Sequence, residues 1–203
     1  ALEVGIQLAG ELKQEGFSIL ATGEMGIGNT TTSSAVLAAL LQIPARQVIG
    51  RGAGLSTQGL ERKIQVIEQA LALHRPDPGD PLDVLSKVGG LDIAGMAGLF
   101  LGVGVYGIPV VIDGLISGVA ALIAQRLAPG IEAYMLPSHQ SAEPAGELVL
   151  SALGLTAPLR CGMCLGEGTG AVALFPLLDM VEAVYRETST FAEISMEPYR
   201  PLV

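Results

Sequence analysis

The segment LGEGTGA holds one carboxylate, Glu167, between Gly166 and Gly168, with apolar residues around it. A carboxylate in a tight, largely apolar turn has its charged form disfavoured, which raises its basicity toward that of a useful proton acceptor. On an exposed turn the same residue is an ordinary surface glutamate. Glu24, in GEMGIGNTT, carries the same two readings. Glu167 is the chemistry candidate.

The second chemistry is anion binding. GEMGIGNTTTSS, residues 23–34, lies between the apolar runs FSILAT and AVLAALL, where a strand would end and a helix begin. Gly26 and Gly28 permit close backbone approach, and the N–H groups of Asn29, Thr30 and Thr31 would point at a bound anion. The plain alternative is a glycine turn that only starts a helix. A P-loop has a lysine where this chain has Asn29, and GEMGIG orders its glycines differently from a GxGxxG fingerprint. The pattern therefore disfavours an NTPase and a nicotinamide-cofactor oxidoreductase. Lys63 could supply the missing charge from another element, or be a solvated lysine beside Glu61. Asp113, after the run VVI, faces the same sheet edge and could order a loop or a sugar hydroxyl.

Cys161 and Cys164 form a CGMC, but the two histidines, His74 and His139, lie far away in sequence. A CxxC can be half a zinc site or a redox pair, but zinc needs two more ligands held close, so ordinary packed or partly exposed cysteines are the favoured reading, and neither a metal nor a cofactor is expected. Free thiols without a disulfide framework suit the cytoplasm.

The elements that must position these residues follow from periodicity and punctuation. A helix over Leu2–Gln14 leads through Gly16 to a strand in GFSILAT, and a helix runs from Asn29 or Thr30 to about Gln42. QVIG, residues 47–50, reads as a short strand, and Ser56 caps a helix carrying Leu60, Ile64, Ile67 and Leu71. Asp80 and Pro81 open a helix that Gly89 and Gly90 close, and Asp92 caps the next, through Tyr106. In that helix Gly95, Gly98 and Gly102 admit a close neighbour. Then come strand Val110–Ile112, helix Ser117–Leu127, strand Ala133–Leu136, helix Glu143–Leu153, a strand near Leu159 and a last helix from Gly170. Alternating strands and helices imply an α/β fold: a three-layer, Rossmann-like parallel sheet with helices on both faces, as one domain over residues 1–203.

Composition agrees. Half of the 203 residues are hydrophobic, only 4% are aromatic, and 27 glycines sit among regular apolar segments. The net charge of −9 argues against a nucleic-acid surface. Ile93–Ile112 is uncharged and long enough to span a bilayer, but Gly107 and Pro109 break it into a buried helix and a buried strand, so no membrane partner is expected. The chain opens on an amphipathic helix, not a secretory signal, and with Ala1 it can begin partway through a longer protein.

GEMGIGNTT, GRGAGL followed by RKIQVIEQAL, DPLDVLSKVGGLDIAGMAG, IPVVIDGLIS, SHQSAEP and LGEGTGA occur in that order from about Gly23 to Ala171. Together they resemble the nicotinate-nucleotide–dimethylbenzimidazole phosphoribosyltransferase family. The resemblance implies transfer of a 5-phosphoribosyl group from nicotinate mononucleotide to 5,6-dimethylbenzimidazole in cobalamin lower-ligand synthesis. The products are α-ribazole 5′-phosphate and nicotinate. It also implies a homodimer, small-molecule substrates and no metal. Glu167 matches the general base; the GEMGIGNTT turn (Gly26, Gly28, Asn29, Thr30), Lys63 and Ser141 match positions that handle phosphate and nucleotide. Glu24 would lie near the ribose or the incoming base, and Leu165 matches an apolar wall of the base pocket. Family members are longer toward the N-terminus, so this chain is expected to be the C-terminal part of such a protein. The alternative is a mononucleotide- or phosphate-binding module, catalytically incomplete, or a subunit that needs a partner chain.

Overall fold

The structure is a computed structural model and describes residues 1–52, 54–197 and 200. Three short parallel strands lie side by side in the order β1 (Leu20–Ala21), β2 (Val110–Ile112) and β3 (Met135–Pro137). Leu20 pairs with Val110, and Val110 with Met135. The strands run the same way, so the segments leaving them, at Thr22, Asp113 and Ser138, emerge along one edge.

Parallel neighbours need crossovers, and here these are helical. Between β1 and β2 lie α2 (Asn29–Leu41), α3 (Thr57–His74), α4 (Pro81–Val88) and α5 (Leu91–Tyr106). The β2–β3 crossover is α6 (Leu115–Leu127); α1 (Leu2–Gln14) precedes the sheet, and α7 (Gly146–Leu153) and α8 (Thr169–Glu187) follow it. Successive strand residues face opposite sides. Val110 and Ile112 join the main core with Leu37, Phe100 and Leu122, whereas Val111 packs with Ala171 and Leu174 of α8. The sheet is thus covered on both faces, as expected of an α/β fold.

The helix punctuation acts as its chemistry predicts at two starts. Ser56 Oγ accepts from Gly59 N at 3.1 Å, and Asp80 Oδ1 accepts from Leu82 N and Asp83 N at 2.9 and 3.1 Å, with Pro81 first in the helix. Asp92 does not cap α5: Gly90 holds that position and no side chain bonds the helix end. Asp92 sits instead in the first turn, where its charge still suits the positive helix end.

QVIG is not a strand. Ala45–Gln47 form a 3-10 turn, and Val48 and Ile49 are buried among the helices, with Ser34 Oγ donating to Val48 O at 3.2 Å. The apolar pair is buried against helices, and burial alone does not make a strand. Ala133 and Tyr134 likewise belong to a 3-10 turn, so β3 starts at Met135. Near Leu159 there is one parallel bridge to His139. α6 begins at Leu115 and α7 at Gly146, two residues earlier and three later than the sequence suggests.

α1 lies along α5 through glycines. A Cβ on Gly98 would fall on the Leu2 carbonyl oxygen, and one on Gly5 on that of Gly95, so the two backbones touch. The uncharged run is protein core: Ile93, Ala97, Phe100 and Val103 are fully buried. No helix among the described residues is long and apolar enough to cross a membrane.

Candidate active site

The edge where the strands end opens into a cleft of about 500 Å³. Its first wall is the turn after β1. Gly28 sits in the left-handed region at φ +94° and starts α2, so Asn29 and Thr30 present first-turn amides with no carbonyl behind them. Thr31 N–H is turned back onto Gly28 O at 2.9 Å, so this one of the three expected donors is engaged internally. Asn29 Nδ2 donates to Glu24 Oε2. A Cβ on Gly26 would press on the ends of the Glu24 and Asn29 side chains and push them from this arrangement.

The opposite wall is the turn that enters α8. Gly166, Glu167 and Gly168 have φ of +78°, +59° and +83°. For a non-glycine residue the left-handed conformation costs about 1–2 kcal/mol, so Glu167 is held there by its surroundings. Its N–H donates to Glu24 O at 3.3 Å. A Cβ on Gly23 would lie 2.7 Å from Gly168 N, so a glycine there lets the two turns touch. Both glutamates, far apart in sequence, line one cleft, but Glu24 is half-buried whereas Glu167 is exposed, so the apolar enclosure expected of its turn is not there.

Between them stands Asp113, at the end of β2 and 3% exposed. Its Oδ1 accepts from Gly170 N and Ala171 N at 2.8 and 3.1 Å, and its Oδ2 from Gly168 N at 3.1 Å. Of the two roles open to Asp113, ordering a loop is the one these bonds describe. Ser141, beyond β3, lines the cleft and accepts from Glu143 N at 3.3 Å. Leu165 is a largely exposed apolar residue on the same wall as Glu167.

Lys63 is not a solvated surface residue. It is 7% exposed, and its Nζ donates to Thr30 Oγ1 at 2.9 Å and to Gly50 O at 3.3 Å. Glu61 instead pairs with Arg46 on the surface. Lys63 therefore stands behind Thr30, which lines the cleft, and acts on it through that hydroxyl. Burial pulls its pKa down, opposed by the nearby Glu143. The loop GRGAG contributes Gly52 to the rim, while its Ala53 lies outside the described residues.

Charge in the cleft is unbalanced. Glu24, Asp113, Glu143 and Glu167 line it, and among the described residues no lysine or arginine does. Burial raises the Glu24 pKa from its ordinary value, and Asp92 adds to this, against the Asn29 and Gly26 hydrogen bonds. Such a cleft suits a substrate that carries or develops positive charge, with any phosphate held by neutral donors.

Sequence reasoning missed His139 and Glu143. His139 is 4% exposed and lines the cleft. Ser138 Oγ donates to Asp113 O at 3.0 Å and lies 2.9 Å from His139 Nδ1. A hydroxyl has one proton and a carbonyl can only accept, so Nδ1 carries the donor hydrogen and Nε2 is left as an acceptor. Burial lowers the imidazole pKa, against the charge of Asp113, which favours this neutral form. The position of both residues inside SHQSAEP, just after a strand, was the available signal. Cys161 and Cys164 are free and exposed, with Cys164 on the cleft wall. No metal-binding cluster exists among the described residues.

A family model described as phosphoribosyltransferase matches residues 1–195. The chain is 49% identical over 201 residues to the nicotinate-nucleotide–dimethylbenzimidazole phosphoribosyltransferase of Clostridium acetobutylicum, covering 99% of this chain and 57% of the relative. To the protein of the same name from Acetivibrio thermocellus it is 50% identical over 203 residues, covering 100% and 58%. It superposes on the crystal structure of CobT from Thermus thermophilus with TM-score 0.89 and 41% identity, over 97% of this chain and 58% of the other. The chain thus spans somewhat more than half the length of the relatives it matches. With the fold, the cleft and these matches together, the chain belongs to the nicotinate-nucleotide–dimethylbenzimidazole phosphoribosyltransferase family.

Proposed function

We propose that the cleft transfers the 5-phosphoribosyl group of nicotinate mononucleotide to 5,6-dimethylbenzimidazole, giving α-ribazole 5′-phosphate and nicotinate for the lower ligand of cobalamin. The observation that carries this reading is the meeting of the Glu167 turn with the Glu24 turn, bonded at 3.3 Å, in a cleft of carboxylates. The donor is an N-ribosyl pyridinium, and its C1′ gains cationic character as the C–N bond breaks. Fixed carboxylates aimed at that carbon stabilise the developing charge.

The reaction needs one proton acceptor. A benzimidazole nitrogen attacks C1′ from the face opposite nicotinate, the configuration inverts, and Glu167 takes the proton from the other ring nitrogen. Nicotinate leaves with the electron pair of the broken bond and needs no acid. The first-turn amides of α2 and the hydroxyls of Thr30 and Ser141 are the neutral donors for the 5′-phosphate, with Lys63 behind Thr30. Glu24 and Asn29 face the ribose side, and Leu165 is an apolar wall for the base. Residues 1–203 act as one catalytic domain, as a homodimer in the cytoplasm; exposed Val181, Val184 and Tyr185 on α8 support an apolar contact with a second copy.

Incubation of the chain with both substrates, followed by mass-resolved chromatography, tests the reading. Product that disappears in Glu167→Gln, with nucleotide affinity kept within about tenfold, or about 1.4 kcal/mol, is the expected outcome. A folded chain that binds the nucleotide but forms no product would instead be a binding module without its acceptor pocket.

A further inference from the structure

We propose that Asp113 is a positioning residue whose carboxylate holds Glu167 in its working geometry. The inference rests on the transferase reading above for what Glu167 does, but the grip itself is a matter of geometry. Both oxygens of a buried carboxylate are committed to three backbone N–H groups, those of Gly168, Gly170 and Ala171, which begin immediately after Glu167. The bonds are charge-assisted and lie at the positive end of α8, where an anion is favoured.

Asp113 also reaches the turn from behind. Its carbonyl accepts from Ser138 Oγ, which accepts from His139 Nδ1. The His139 ring then fills the space that Gly170 leaves open, since a Cβ there would fall on the imidazole. One residue at the end of β2 therefore ties the turn to the sheet through its side chain and, via Ser138 and His139, through its main chain. Apart from this clamp, the three successive left-handed residues, one of them a glutamate, are held by Thr169, which closes the turn internally on Gly166 O, and by the 3.3 Å bond from Glu167 N to Glu24 O, which ties the turn to the loop after β1 and not to β2.

Asp113→Asn keeps the shape of the side chain and one acceptor. Its oxygen can still serve Gly170 and Ala171, but its Nδ2 then faces Gly168 N–H, two donors against each other. With the turn after Glu167 released, kcat should fall about 100-fold, the effect of a misplacement of roughly 1 Å. KM for the nucleotide should stay within about threefold, because the amides of α2 are untouched. Ser138→Ala removes only the rear link, and the kcat loss expected there is about three- to tenfold.

A second arm needs no substrate: amide hydrogen exchange in the Asp113→Asn chain, read by NMR. Faster exchange at Gly168, with Val103 and Leu122 in the core unchanged, supports the clamp. Unchanged exchange at Gly168 overturns it, whether or not the chain turns over. Unchanged kcat in Asp113→Asn, or equal loss of kcat and affinity with a general loss of protection, also overturns it. If the parent chain makes no product, the transferase reading falls, while the exchange arm still decides whether Asp113 holds the Glu167 turn.

Discussion

Lys63 and His139 show how much a single side chain's setting changes what it can do. Lys63 sits on a helix stripe next to Glu61, which in sequence looks like a surface pair, yet it is buried and bonded to Thr30 and Gly50. Lys63→Ala should weaken nucleotide binding by about 1.5–3 kcal/mol, roughly ten- to a hundredfold in Kd, because the charged donor that holds the Thr30 hydroxyl in place is lost. Titration calorimetry reads this directly, and an unchanged Kd would remove Lys63 from the site. His139 makes a pH prediction. Its folded-state pKa lies below the ordinary 6.5, so as pH falls through about 6.5 the unfolded chain takes up a proton that the folded chain resists. Stability therefore drops on acidification, and the drop ends only below the folded pKa. His139→Gln should have a flatter Tm profile between about pH 7.5 and 5.5; parallel profiles would show that the imidazole does not titrate as its burial requires.

At the scale of elements, the contact between α1 and α5 depends on glycines that bring backbones together. Gly98→Ala would place a methyl on the Leu2 carbonyl, and rigid helix backbones can relieve this only by separating. Overpacking of this kind costs about 1–3 kcal/mol. In a chain of this size that is a Tm loss of roughly 2–12 °C, measurable by calorimetry or circular dichroism. Gly95→Ala on the same helix meets open space and should not share the effect. Helix limits were readable where a capping residue does the work, as at Ser56 and Asp80, because that chemistry is local. Local chemistry does not decide Asp92 or the expected strand at QVIG, where the outcome rests on neighbours distant in sequence: α5 starts on Gly90 without a side-chain cap, and Val48 and Ile49 are buried against helices.

At the scale of the whole molecule, the cleft exists only when the ends of β1, β2 and β3 are side by side. Its walls come from residues as far apart as Glu24 and Glu167, so nucleotide binding should stabilise the entire fold. At a ligand concentration of 100 times Kd the gain is about 2.7 kcal/mol, or a Tm rise of roughly 5–10 °C. Thermal shift with nicotinate mononucleotide should show this rise, reduced in Lys63→Ala; no shift at saturating nucleotide would mean that the cleft is not its site.

The sequence by itself determined the chemistry on offer and the class of fold. Glycine turns, caps and buried periodicity are local signals, and GEMGIGNTT, SHQSAEP and LGEGTGA lie where strands hand over to helices, so they could be read as neighbours on one sheet edge. The tertiary structure decided which groups do what. It turned Thr31 N–H inward, withdrew Lys63 behind Thr30, brought His139 against Gly170 and bound the Asp113 carboxylate to three amides more than fifty residues away. These are matters of desolvation and hydrogen-bond satisfaction, which depend on what surrounds a group in space and not on its neighbours along the chain.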